Sequence, residues 1–215
     1  MNKVAYIRIP KTGSTTLNHI LSNNGFDGHY RGNQNQIILE ALGCIQNKII
    51  PKSAIYQSTF YKELETSLGI QKYYTATFVR NPFDRAVSAW KFLFNHPHRR
   101  DSEIKQQYTN LDFKEFIKIL YKKQRLSLRD TWHTLPQYPL LLDNNNNLSI
   151  DFIGRFENFE TDLNKLLNIL EIKIDRIPHQ MKTDHKFYRE YYDKETQDMV
   201  SEIYEQDIKQ FNYTF

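Results

Sequence analysis

Lys11, Thr12, Gly13, Ser14, Thr15 and Thr16 stand in one unbroken run, directly after the apolar stretch Val4–Ile9 and its breaker Pro10. Leu17, Ile20 and Leu21 follow at helical spacing, so the run sits at a strand-to-helix turn. Backbone N–H groups at a helix start point outward unpaired, and the helix dipole adds positive potential, so an anion is stabilised there. Gly13 lets the backbone come close to a ligand. The hydroxyls of Ser14, Thr15 and Thr16 add donors, and Lys11 adds a mobile full charge. The common nucleotide loop G-x-x-x-x-G-K-[ST] is absent, because here the lysine precedes the glycine. That argues against an ATPase or GTPase of the usual kind. A Ser/Thr-rich helix cap beside a solvated lysine is the plain alternative for this run taken alone.

Arg80 and Ser88 form a second set, eight residues apart, at the end of the run Tyr73–Val79 and on the helix that follows. Singly, an ion-pair partner and a small helix residue would explain them. Beside the first run they make a second strand end with donors suited to phosphate-like groups, where open α/β sheets bind ligands.

The elements that must position these residues are strands alternating with helices. Asn81 can cap a helix whose first residue is Pro82, with Asp84 complementing the dipole, and Phe83, Ala86, Val87, Trp90 and Phe94 form its apolar stripe. A third strand is expected around Ile150–Phe156, then a helix carrying Leu163, Leu166, Leu167 and Leu170. Further helical patterns lie near 34–45, 60–68 and 112–125, and a last helix runs over about 193–211. Alternation of this kind implies an α/β fold with a central parallel sheet flanked by helices, read as a single domain over residues 1–215.

Composition narrows the class. The chain has 215 residues, 29 Lys+Arg against 25 Asp+Glu, and 40% hydrophobic residues, which is globular. Its single cysteine, Cys44, excludes a disulfide framework and a cysteine-based zinc site. A sequence pI near 8.9 suits an anionic ligand without the charge of a nucleic-acid-coating protein, and the 14 tyrosines and 14 phenylalanines are scattered as core residues. His96-Pro97-His98-Arg99-Arg100 lacks a carboxylate or cysteine set, so no metal is expected. The N-terminal apolar stretch is short and broken by Arg8 and Lys11, and no later run is long enough to span a bilayer. A cytoplasmic chain without a membrane span, and with no nucleic-acid partner, is the expectation.

Pro10-Lys11-Thr12-Gly13-Ser14-Thr15-Thr16 resembles the 5′-phosphosulfate loop of sulfotransferases, and Val79-Arg80-Asn81-Pro82-Phe83-Asp84-Arg85-Ala86-Val87-Ser88 resembles their 3′-phosphate motif closely. Ile153–Glu160, Tyr188–Tyr192 and the ending Tyr204…Asp207…Phe211…Tyr213 are similar to the carbohydrate-type branch, which includes bacterial members and Golgi enzymes. The resemblance implies a P-loop-like three-layer fold and the donor 3′-phosphoadenosine 5′-phosphosulfate (PAPS). It implies transfer of a sulfuryl group to a hydroxyl of a carbohydrate or similar acceptor. By the same resemblance Lys11 contacts the bridging and sulfuryl oxygens, and Thr12, Gly13, Ser14, Thr15 and Thr16 hold the 5′-phosphate. Arg80 and Ser88 clasp the 3′-phosphate, with Lys186 reaching toward it, and Phe156 falls near the adenine contact. The Golgi relatives carry an anchor and stem; a chain that starts at its first strand reads as the catalytic core.

An acceptor hydroxyl needs a base within hydrogen-bond reach. Relatives carry a His or Glu shortly before the second motif, whereas Ile55-Tyr56-Gln57-Ser58-Thr59 holds no titrating group there. His29 lies further upstream between the motifs, and His133 stands in a His…Pro-Gln segment resembling one that faces the active site; Glu63 follows the empty slot. A kinase with a degenerate phosphate loop, and a non-catalytic module for anionic saccharide or nucleotide, remain alternatives. Asp207, a carboxylate in an apolar stripe, is expected in a buried ion pair with Arg85.

Overall fold

Each apolar run of the sequence becomes an element that ends at its breaker. The computed structural model of the chain describes residues 4–24, 74–95, 111–122, 132–177 and 186–215. In chain order these contain β1 (Val4–Ile7), α1 (Ser14–Asn23), β2 (Tyr74–Val79), α2 (Pro82–Asn95), α3 (Phe113–Tyr121), β3 (Phe152–Arg155), α4 (Phe159–Ile169), α5 (Lys194–Ile203) and α6 (Glu205–Phe211). Short 3₁₀ turns occur at Tyr138–Leu141, Phe156–Asn158 and Tyr188–Tyr191. The helices expected near 34–45 and 60–68, and the His96–Arg100 stretch, lie outside the described residues.

The described residues group into two compact units, one of 4–24, 74–80 and 137–177, the other of 81–95, 111–122, 132–136 and 186–215. The first holds a parallel sheet in the order β1-β2-β3, with Ile7 opposite Thr77 and Val79 opposite Arg155. Successive side chains of β2 point to opposite faces, yet Thr75, Ala76, Thr77, Phe78 and Val79 are all buried. Both faces of the central strand are therefore covered, as a parallel sheet requires. On one face Tyr6, Ala76 and Phe78 pack with Leu17, Ile20 and Leu21 of α1 and with Leu163, Leu166 and Leu167 of α4. Each fully buried leucine contributes about 2 kcal/mol by removal from water. On the other face two threonines are tolerated because their hydroxyls are satisfied: Thr77 donates to the Ile7 carbonyl at 2.8 Å, and Thr75 to Asp151 at 2.7 Å. Asp151 accepts the Thr75 N–H as well, which fixes where β3 begins. Gly154 stands opposite Phe78, and a Cβ there would lie 2.4 Å from the Phe78 ring, so glycine makes room for that ring.

The second unit is helical. Phe83, Ala86, Val87 and Leu93 of α2 pack with Phe113, Phe116 and Ile117 of α3 and with Val200 of α5. Asn81 caps α2 as expected, its side-chain oxygen accepting the Phe83 N–H at 3.0 Å. Capping boxes at Asp112/Glu115 and Asp193/Thr196 start α3 and α5.

Two expectations change. β1 stops at Ile7 rather than Ile9, because the Ile9 carbonyl is taken by the Thr12 hydroxyl at 2.8 Å and the chain already turns toward Pro10. The last helix is two helices, broken at Tyr204 (φ −113°, ψ 27°), whose buried hydroxyl donates to the Thr134 carbonyl at 2.7 Å. That tether outweighs one regular turn. No helix among the described residues is long and apolar enough to cross a membrane.

Candidate functional site

The loop between β1 and α1 is shaped by two left-handed residues, Lys11 at φ 69° and Gly13 at φ 79°. Glycine adopts that region freely, whereas a lysine there costs on the order of 1–2 kcal/mol, a strain typical of ligand clamps. Gly13 is required for a second reason: a Cβ would come within 2.4 Å of the Phe159 ring. Its carbonyl receives the N–H groups of Thr16 and Leu17 at 3.0 and 3.3 Å, and as the N-cap of α1 Gly13 offers no side chain to cap the first turn. The first N–H groups of a helix lack intrahelical partners, and Gly13 supplies no side chain to meet them.

The hydroxyls of this loop divide in a way its sequence does not reveal. Thr12 is buried and its hydroxyl donates to the Ile9 carbonyl at 2.8 Å, so its side chain braces the turn. Ser14 is buried and accepts from Arg8 Nε at 3.4 Å. Thr15 is half-buried and Thr16 buried.

Arg80 is only 5% exposed. Its guanidinium lies 4.1 Å from the centroid of the Phe156 ring and donates from Nη1 to the Lys11 carbonyl at 3.0 Å. One face of Phe156 therefore supports an arginine, and the ring packs in turn on Phe159, with centroids 5.9 Å apart. The end of β3 is held by Asp162, which accepts the Arg155 N–H at 2.9 Å and pairs with Lys165 at 2.8 Å. Burial pushes the Asp162 carboxyl up, but the hydrogen bonds from Lys165 and Arg155 outweigh it and hold the group below its ordinary value. Gln137, the glutamine of the His…Pro-Gln segment, contacts Arg80 through both ends of its amide.

In the helical unit Ser88 is fully buried, and among the described residues its hydroxyl has no hydrogen-bond partner. Buried hydroxyls are nearly always paired, so an orphan of this kind fits a residue that awaits a polar ligand atom. His133 is half-buried against Phe92, with ring centroids 4.8 Å apart. Lys186 is exposed and lies 3.9 Å from Glu190. Arg85 and Asp207 are both buried, but among the described residues no ion pair joins them. Arg85 donates to the Leu135 carbonyl and lies 5.4 Å from the Tyr204 ring centroid. Burial pushes the Tyr204 hydroxyl up to about 12, with Arg85 lowering it and Asp207 raising it. His29 and Glu63 lie outside the described residues.

The profile of the Sulfotransferase family matches residues 1–214. The chain belongs to that family. Among curated relatives, human carbohydrate sulfotransferase 9 is 26% identical, aligned over 99% of this chain and 52% of its own length. Mouse carbohydrate sulfotransferase 8 is 22% identical over 99% of this chain and 55% of its own. The chain thus spans about half the length of the curated relatives it matches. A crystal structure of a sulfotransferase from Alicyclobacillus acidocaldarius is similar at 12% identity and a TM-score of 0.47, covering 99% of this chain and 94% of that one.

Proposed function

We propose that residues 1–215 form one PAPS-dependent sulfotransferase domain that transfers a sulfuryl group to a hydroxyl of a carbohydrate or similar acceptor. The observation that carries this reading is the strained loop: Lys11 is held left-handed with its carbonyl tied to Arg80, and α1 starts from a left-handed glycine that has no capping side chain. Such a loop suits a diester-like phosphate and an adjacent charged group better than it suits a structural cap.

In the reaction the sulfur–oxygen bond to the leaving phosphate breaks as the acceptor oxygen bonds to sulfur, and the acceptor proton passes to a base. Lys11 neutralises charge growing on the bridging oxygen. Thr12, Gly13, Ser14, Thr15 and Thr16 hold the 5′-phosphate, Arg80, Ser88 and Lys186 serve the 3′-phosphate, and Phe156 lies by the adenine. No metal is needed, because Lys11 and the amides supply the charge stabilisation.

The carbohydrate sulfotransferases among the relatives favour a saccharide acceptor. A thermal-shift series with adenosine 3′,5′-bisphosphate, ATP and a heparin-like polymer tests the donor. The bisphosphate alone is expected to raise Tm by roughly 5–10 °C at a hundred times its Kd. Stabilisation by ATP alone, or by the polymer alone, would replace this reading with a kinase or a saccharide-binding module.

For the base we propose His29 or His133. Because the transition state is loose, the loss on removing the true base is expected at the low end of general-base effects, about a hundredfold or less in kcat. His29→Ala and His133→Ala rates decide between them, and wild-type rates in both would eliminate the pair.

A further inference from the structure

Gln137 is a fully buried polar residue to which the reaction assigns nothing. Its side-chain amide forms a closed pair with the main chain of Arg80: the Arg80 N–H donates to Oε1 at 3.0 Å, and Nε2 donates to the Arg80 carbonyl at 2.8 Å. The reason lies in the sheet. Pairing between β2 and β3 runs out at Val79 opposite Arg155, because Phe156 turns into a 3₁₀ helix. Arg80 is the next residue, buried, with both peptide groups beyond the last strand partner. A primary amide carries a donor and an acceptor in the same relation as a peptide group, so Gln137 extends the sheet by one residue without a strand. Gln137 is itself held, since its carbonyl accepts the Leu140 N–H at 3.1 Å and its turn is anchored by buried Leu140 and Leu141.

The pairing fixes the backbone of a residue whose side chain acts at the loop. From that backbone the guanidinium reaches both the Phe156 ring and the Lys11 carbonyl. We propose that Gln137 is a positioning residue of the donor site, which sets the direction of the Arg80 guanidinium and through it the shape of the Lys11 loop. This rests on the reading of Arg80 as a donor contact. Gln137 itself touches no donor atom in this account.

Two variants test it, each beside wild type. Gln137→Met keeps length and volume but loses both hydrogen bonds. Gln137→Glu keeps the acceptor for the Arg80 N–H; when ionised it sets an oxygen against the Arg80 carbonyl, and when protonated it restores the donor. Binding of adenosine 3′,5′-bisphosphate is measured by calorimetry at pH 8 and pH 6, together with donor KM and kcat. Gln137→Met is expected to weaken binding about tenfold and raise donor KM, with kcat at saturating donor close to wild type. Gln137→Glu is expected to bind more weakly than wild type at pH 8 and to recover much of that ratio at pH 6, which a merely structural residue would not do. Should Gln137→Met fail to fold, the pH-dependent ratio of Gln137→Glu decides alone. Affinity equal to wild type, or a Gln137→Glu deficit that does not change with pH, would overturn the assignment. A wild-type chain that does not bind the bisphosphate would instead remove the donor reading, and that result appears without any variant.

Discussion

Lys11→Ala is expected to lower kcat by about a thousandfold while leaving the Kd for adenosine 3′,5′-bisphosphate within a few-fold of wild type; single preorganised donors at developing charge contribute about 10²–10³ in rate. The asymmetry follows from where the charge is. In the proposed product complex the loop amides and Arg80 would already hold the bisphosphate, and Lys11 would add one contact among several. In the transition state the bridging oxygen gains charge as sulfur departs, and a lysine ammonium is the full positive charge that the loop brings to it. The backbone complicates the test in an instructive way. Lys11 has φ 69°, so alanine inherits the strain without the benefit, whereas Lys11→Gly relieves it. If the role lies in the ammonium, Lys11→Gly and Lys11→Ala lose rate alike. If the role lies in loop shape, Lys11→Gly retains most of the rate. Single-turnover sulfuryl transfer distinguishes the two, and near-wild-type turnover in Lys11→Ala would dismiss the residue from the chemistry.

The frame of this site is written locally and so is legible in sequence. Val4–Ile9 and Tyr73–Val79 are β-branched and aromatic runs closed by Pro10 and by Arg80-Asn81-Pro82, and they become β1 and β2 within two residues. Pro82 cannot donate a backbone hydrogen bond, so the helix after Arg80 starts where it must, with Asn81 as its cap. What is not legible depends on contacts between residues far apart in the chain. The amide that completes Arg80 comes from Gln137, and the ring that demands glycine at 13 comes from Phe159. The break at Tyr204 is set by a carbonyl at Thr134. Each concerns a polar or aromatic group whose partner no periodicity announces. The inward turn of the Thr12 hydroxyl is a subtler case: its residue type suits both a ligand donor and a local brace, and only the Ile9 carbonyl within 2.8 Å decides. His29 lies outside the described residues, and its assignment rests on the sequence.

Arg80→Ala is expected to act on binding rather than on turnover, weakening adenosine 3′,5′-bisphosphate by about a hundredfold. A hydrogen bond to a charged group contributes up to about 3 kcal/mol, and every 1.4 kcal/mol is tenfold in Kd. Two losses combine. The proposed phosphate contact of the guanidinium would go, and the Lys11 carbonyl loses the Nη1 hydrogen bond that ties the loop to Arg80. Arg80→Lys separates them. A lysine keeps the charge but neither the planar stack on Phe156 nor the forked donors. A phosphate contact that needed only charge would be largely restored by lysine; a contact that depends on a guanidinium braced by an aromatic ring and a carbonyl would not. We expect Arg80→Lys to recover less than half of the lost binding free energy, with kcat at saturating donor near wild type in both variants. Calorimetry on the two variants reads this directly. Unchanged affinity in Arg80→Ala would mean that the buried arginine serves only to pin the loop, and the anion contact would then have to lie with the amides of α1.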